Sequence, residues 1–272
     1  MHPGKIKAYW HGLPNSNFGD MLTPIIIKAI SGMEAQFTDW QEPSKILSIG
    51  SILSIAQKGD TVWGSGVLHP GQITSDTKDI NFKMVRGPLT RDCLRHKGAE
   101  VPDFVADPAV LLPFIYDVST VIKDKELAIF PHVCSFNEFS KKNTEIIIDV
   151  CQKPHLVLTK IAQCQAVVTE SMHVMMLAEA LDIPTVLIQT TTNHDYDFTW
   201  KFQDYYLSTN REFIQPVIWG PSGYLNYRQI QQKLDAWISP PKPDYAAMLK
   251  SCPFNFRNIT SPTQLIKLPA GL

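Results

Sequence analysis

Side chains able to do acid–base or anion chemistry gather in a few short segments of this 272-residue chain. Each follows an apolar run and leads toward a turn or a helical pattern. In Asn17-Phe18-Gly19-Asp20, the glycine permits close backbone approach to a ligand. Asp20 can accept a proton, bind a sugar hydroxyl together with Asn17, or simply cap the helix that follows. Ile49-Gly50-Ser51 and Trp63-Gly64-Ser65-Gly66 are small-residue loops, either tight turns or points where a ligand meets the backbone and Ser65. Arg86 ends an apolar run just before Gly87-Pro88, and a guanidinium beside free helix N–H groups suits a carboxylate or phosphate. Arg91 and Arg95 share one face of the ensuing helix and read as solvated surface. The richest segment is Val167–Leu181, where an apolar run passes straight into a helix that is apolar nearly all round. Glu170, Ser171 and His173 are the only polar residues at its start. His173 falls in the first turn, at the positive end of the helix dipole. It is either a satisfied core histidine or a catalytic one beside an anion.

The elements that must position these residues alternate in type, which predicts an α/β fold. Strands are expected at Lys7–Trp10, Lys45–Ile49, Thr61–Gly64 and Phe82–Arg86, with helices over Asp20–Ser31 and Pro88–Lys97. Pro88 near the start and Gly98 just past the end bracket the second helix. Pro113–Asp124 reads as a crossover linker. A second half follows: strand Leu127–Phe130, apolar run Glu145–Val150, helix Pro154–Gln163, strand Ala166–Thr169, helix Ser171–Leu181 and strand Pro184–Ile188. A polar helix is expected over Tyr224–Trp237, and Ser251–Leu272 is loop-like. Such sheets bind ligands outside the carboxyl ends of their strands.

Composition excludes several functions. Net charge is -1 and the six arginines are scattered, so nucleic acid is not an expected partner. No run approaches the ~20 apolar residues that span a bilayer, and the amino-terminal residues lack the apolar core of a signal peptide. The five cysteines include no C-x-x-C and read as reduced thiols of a cytoplasmic protein. The eight histidines show no zinc spacing, so no metal is assigned. Walker and G-x-G-x-x-G phosphate loops are missing, which disfavours a P-loop NTPase or a dinucleotide enzyme.

Taken in order, these segments resemble the polysaccharide pyruvyltransferase family. Asn17-Phe18-Gly19-Asp20 is similar to its N-x-G-D element, Arg86 to its V-R arginine, and Ala106-Asp107-Pro108-Ala109-Val110-Leu111-Leu112 to its G-D-P-A-x-L-L stretch. Thr169-Glu170-Ser171-Met172-His173, followed by Ile183-Pro184, resembles its histidine-bearing site. Asp60–Gly66 and Trp200-Lys201-Phe202-Gln203-Asp204 look most like the ketal-pyruvyltransferases of xanthan- and succinoglycan-type exopolysaccharides. The resemblance spans roughly residues 15–208 and is specific as a set.

It implies a GT-B-like fold of two Rossmann-type domains with parallel sheets facing a central cleft. Residues 1–120 would form the acceptor side and 121–212 the donor side with the His173 helix. Residues 213–272 would be a helix and tail packing back on the first domain. Phosphoenolpyruvate is the implied co-substrate, with no cofactor required. His173 would be the general acid/base, with Asp20 orienting or deprotonating the attacking hydroxyl, and Arg86 would hold the donor. Many family members carry an arginine two residues before the histidine, where this chain has Ser171. Ser171 offers only a hydrogen bond, so another cation must help: His132 first, Lys201 second. Asn17, Ser65, Trp200 and Asp204 would line the acceptor side, although Trp200 and Phe202 could equally serve to pack a helix. A lipid-linked oligosaccharide acceptor would bring the protein to the inner face of the membrane. Competing expectations are a GT-B glycosyltransferase using a nucleotide sugar and a non-catalytic sugar- or nucleotide-binding module.

Overall fold

The computed structural model of the chain describes residues 4–12, 17–73, 77–139, 146–190, 199–219 and 225–269, without the side chains of 138 and 139. Strands β1 (Ile6–Tyr9), β2 (Ala35–Phe37), β3 (Ile46–Leu47), β4 (Thr61–Trp63) and β5 (Asn81–Met84) form a parallel sheet in the order β2-β1-β3-β4-β5. Helix α1 (Leu22–Ser31) connects β1 to β2, α2 (Pro88–His96) follows β5, and α3 (Leu112–Ile115) precedes the second sheet. That sheet is also parallel: β6 (Lys125–Phe130), β7 (Cys164–Thr169), β8 (Thr185–Thr190) and β9 (Val217–Trp219), paired in that order. The accompanying helices are α4 (Phe136–Phe139), α5 (Pro154–Ala162), α6 (Met172–Ala180), α7 (Thr199–Ser208), α8 (Tyr227–Asp235) and α9 (Tyr245–Ser251). Among the described residues no helix is long and apolar enough to cross a membrane.

Local chemistry explains most of these bounds. Four consecutive residues of β7, Ala166 to Thr169, are buried, as expected of a strand covered on both faces. Every residue of α6 from Met172 to Glu179 is buried, which accounts for its lack of a polar face. α2 begins at Pro88, and Gly98 beyond it takes the left-handed φ of 85° that ends helices.

Some expectations differ in detail. The strands β2 and β9 have no counterpart in the sequence reading; β2 is short and largely exposed, and β9 is three residues long. Of the Glu145–Val150 run, Ile147 makes an isolated parallel bridge to Ile129 and no strand forms. Glu145 and Tyr224, the first residues of two expected elements, lie outside the described residues. Asp20 does not cap α1. It sits within a 3-10 turn, Phe18–Met21, whose cap is Asn17, and α1 starts only at Leu22.

Two features of this topology define where a ligand can sit. In the first sheet the chain reverses its direction of growth between β1 and β3. In the second, Ile129 of β6 pairs with Val168 on one edge and Ile147 on the other, so a reversal falls at β6. Crevices at such switch points are the usual ligand sites of parallel sheets. One core cluster contains residues of both halves, including Ile26, Ile30, Leu112, Met176 and Leu177. The carboxyl-terminal residues touch the first half: Trp63 Nε1 donates to Ser251 Oγ at 3.0 Å, Phe254 packs edge-on to Trp63, and Ile266 N donates to Ala29 O.

Candidate active site

The segments leaving the two switch points meet. Phe18 N donates to Val150 O at 3.0 Å, and the Phe18 ring lies edge-on to His173 with centroids 6.4 Å apart. Gly19 lies flush against the imidazole. A Cβ on Gly19 would stand 2.0 Å from His173 Nδ1, so no other residue fits without moving the histidine. The close backbone approach expected at Gly19 is therefore made to His173.

His173 is the second residue of α6 and is 6% exposed. Its Nε2 is buried and has no hydrogen-bond partner. Burial, then Lys201, then Arg86 push its pKa down to about 3, so the ring is neutral near pH 7. Ser171 caps the helix through a 3.5 Å bond from Val174 N, and its own N–H donates to Thr169 Oγ1. Glu170 stands between the strand ends: it accepts from His132 N at 3.0 Å and from Thr190 N at 2.7 Å. It thereby ties the carboxyl ends of β6 and β8 together across β7.

Lys201 comes from the start of α7 and is buried with its ammonium 5.2 Å from the centre of the Phe202 ring. Burial and then Arg86 lower its pKa to about 8, while Asp20 and Glu170 oppose the shift. Asp20 is half-buried. Burial raises its carboxyl pKa, and His11 and Lys201 lower it in part. His173, Lys201, Asp20 and Arg86 thus share one electrostatic neighbourhood.

Arg86 is fully buried. Its Nη1 donates to Ser51 Oγ at 2.8 Å and Nη2 to Val67 O at 2.6 Å. Its Nε lies 3.5 Å from Asp204 Oδ2, close enough for ion pairing but without hydrogen-bond geometry. A Cβ on Gly66 would fall 2.6 Å from the guanidinium carbon, so this loop is glycine to make room for the arginine. Asp204, also fully buried, accepts from Thr90 N at 3.1 Å and Thr90 Oγ1 at 2.6 Å, which caps α2 from α7. Gly87 is small for the same reason; its Cβ would lie 2.2 Å from Asp204 Oδ1. Asp107 completes this network. Its Oδ1 accepts from Ala109 N at 2.9 Å, its Oδ2 is buried without a partner, and burial pushes its pKa up to about 6.

The remaining sequence candidates are held in local structure. Asn17 accepts from Gly19 N, Ser65 donates to Gly50 O at 2.9 Å, and Trp200 packs against the apolar cluster around Leu47 and Val62. His132 Nδ1 accepts from Cys134 N at 3.4 Å. Sequence reasoning assigned no site role to Ser51, Thr90, Asp107 or Glu170. The sequence does hint at Thr90, which occupies the third helical position after Gly87-Pro88 and needs a capping acceptor.

The model of the polysaccharide pyruvyl transferase family matches residues 76–191. The match includes Arg86, His132, Glu170, Ser171 and His173, and it ends before Lys201. A functionally uncharacterised protein of known crystal structure from Klebsiella pneumoniae is 15% identical, with 75% of this chain and 88% of that one covered and a TM-score of 0.47. No curated protein matches the chain.

Proposed function

We propose that this chain, whose residues 76–191 match the polysaccharide pyruvyl transferase family, moves the pyruvyl unit of phosphoenolpyruvate onto a sugar of an exopolysaccharide precursor as a cyclic ketal. The observation that carries this reading is the packing of Gly19, next to Asp20, against His173, with Lys201 and Arg86 as charged neighbours of the histidine. Two buried cations beside a neutral histidine suit a small, highly charged anion. We read the two sheets as a GT-B-like pair, with residues 1–120 on the acceptor side, 121–212 on the donor side and 213–272 as the returning tail.

Lys201 is our cation for the donor in place of the family arginine missing at Ser171, because it shares the electrostatic surroundings of His173, Arg86 and Asp20. Arg86 adds long-range positive potential from behind, since its nitrogens face protein groups. The amino terminus of α6 contributes a favourable dipole. Burial is the main cause of the low pKa of His173, with Lys201 and Arg86 adding to it; the negative charge of a bound donor opposes both effects and favours protonation of the ring.

His173 then protonates the donor's methylene carbon, leaving positive charge at the carbon bearing the phosphate. One sugar hydroxyl adds there while Asp20 accepts its proton. The carbon–oxygen bond to phosphate breaks, and a second hydroxyl of the same sugar closes the ketal, its proton passing to the departing phosphate. The product gains a methyl group, and inorganic phosphate leaves. General acid–base catalysis of this kind is worth roughly 10²–10⁴-fold.

The test is acceptor-dependent phosphate release from phosphoenolpyruvate with a panel of glycosides, wild type beside His173→Ala. Release that falls ~10²–10⁴-fold in the variant supports the reading. Calorimetric binding of a nucleotide sugar but not of phosphoenolpyruvate would replace it with glycosyl transfer.

A further inference from the structure

The carboxyl edge of the first sheet continues beyond Asp20 into an aromatic surface that no catalytic step uses. In strand order the edge runs from Arg86 after β5, through Ser65 after β4 and Gly50 after β3, to Tyr9–His11 at the end of β1 and Phe37–Trp40 at the end of β2. Phe37, paired in register with Ala8, packs edge-on to Trp10 with centroids 5.2 Å apart and lies 5.9 Å from Tyr9. Phe37 is 51% exposed and Trp40 50% exposed. Trp40 is anchored through its backbone, whose carbonyl accepts from Gln57 Nε2. Gly12 folds against the indole of Trp10; a Cβ there would lie 2.9 Å from Nε1.

Polar groups are interleaved with these rings. Tyr9 Oη and His11 Nδ1 are hydrogen-bonded at 3.1 Å. Both residues are electrostatic neighbours of groups along the edge: Tyr9 of Asp39 and Asp20, and His11 of Asp20. Ring faces alternating with hydroxyl, imidazole and carboxylate groups match a pyranose, which has apolar C–H faces and a polar rim. An anionic lipid surface would be repelled by Asp20 and Asp39, the electrostatic neighbours of Tyr9. From β3 to β2 is two strand spacings, about 10 Å, which exceeds a single sugar ring.

We propose that Tyr9, Trp10, His11, Phe37 and Trp40 form an acceptor subsite that binds the sugars flanking the modified residue, so that the ligand is a neutral oligosaccharide of three or more rings. The proposal rests on the pyruvyl-transfer reading for the identity of the reaction, but the binding it predicts does not require turnover. Stacking on Phe37 and Trp40 selects chain length, while the sugar beside Asp20 is the one that reacts.

The experiment is binding of the full chain to an array of neutral hexose oligosaccharides of one to six rings. Wild type is compared with Phe37→Ala, Trp40→Ala and the double variant. Both side chains are half exposed, so folding is expected to survive and circular dichroism checks it. The expected result is binding that strengthens with length beyond two rings and weakens about tenfold per aromatic removed, 1.4 kcal/mol each. Calorimetric binding of phosphoenolpyruvate should be unchanged in all variants. Equal oligosaccharide binding by wild type and double variant would overturn the subsite, as would no binding to any array member. So would aromatic-dependent partition onto phosphatidylcholine vesicles without sugar binding, which would make the surface a lipid contact. Oligosaccharide binding with no phosphoenolpyruvate binding would leave the subsite standing while the donor assignment fell.

Discussion

Gly19 and His173 illustrate how tightly this site is built at the level of single residues. A methyl group on Gly19 would overlap the imidazole, and the backbone around it is fixed by the Asn17 cap and by the bond from Phe18 N to Val150 O. Gly19→Ala therefore displaces His173. We expect turnover to fall by at least about tenfold, read by phosphate release, while phosphoenolpyruvate affinity changes much less. Lys201 supplies a different signature. With its pKa lowered to about 8, its charge is present below that value and lost above it. Phosphoenolpyruvate binding to the free protein should weaken as pH rises through about 8, and in Lys201→Met that pH dependence should vanish. A calorimetric titration series from pH 7 to 9.5 checks both.

Between elements, the joint that matters is α7 on α2. Asp204 reaches across to satisfy two donors of Thr90 at the start of α2 and sits beside the buried Arg86. The aspartate that looked suited to sugar contact is thus occupied in holding a helix and balancing a guanidinium. Asp204→Asn leaves Arg86 without its ion-pair partner, and breaking a buried pair costs roughly 3–5 kcal/mol. Asp107, whose pKa is about 6 and which shares this neighbourhood, can ionise to offset part of that cost. Urea unfolding should show the larger loss at pH 5 and a smaller one at pH 8. Lys201 lies three residues before Asp204 on the same helix, so the same change should also weaken donor binding by misplacing the ammonium. Glu170 does the equivalent work in the second sheet by joining β6 to β8.

Across the whole molecule, the buried histidine makes stability depend on pH. His173 titrates at about 3 in the folded protein and near 6.5 when unfolded. Between those values the unfolded state binds the extra proton, so stability is lost as pH falls below 6.5. The difference is on the order of 2 kcal/mol at pH 5. Asp107 acts in the opposite sense, because its raised pKa makes the folded state hold a proton between about 4 and 6. The comparison that isolates the histidine is His173→Gln, whose stability should fall less than that of wild type from pH 7 to 5 in thermal unfolding.

The sequence alone determined much of this protein because its signals are local. Continuous apolar runs identified β6, β7 and β8, proline and glycine bracketed α2, and the apolar stretch after Thr169 announced a buried helix with a histidine in its first turn. Short or exposed strands such as β2 carried too little burial to leave a pattern. The parallel pairing and the meeting of residues 19 and 173 are products of tertiary structure, since they depend on which strands become neighbours. The same holds for the duties of buried polar groups. Arg86, Asp204 and Ser65 all read as ligand contacts from residue type, yet each has atoms committed to protein partners. A buried polar group must find a partner, and which partner it finds is settled by packing between segments distant in the chain.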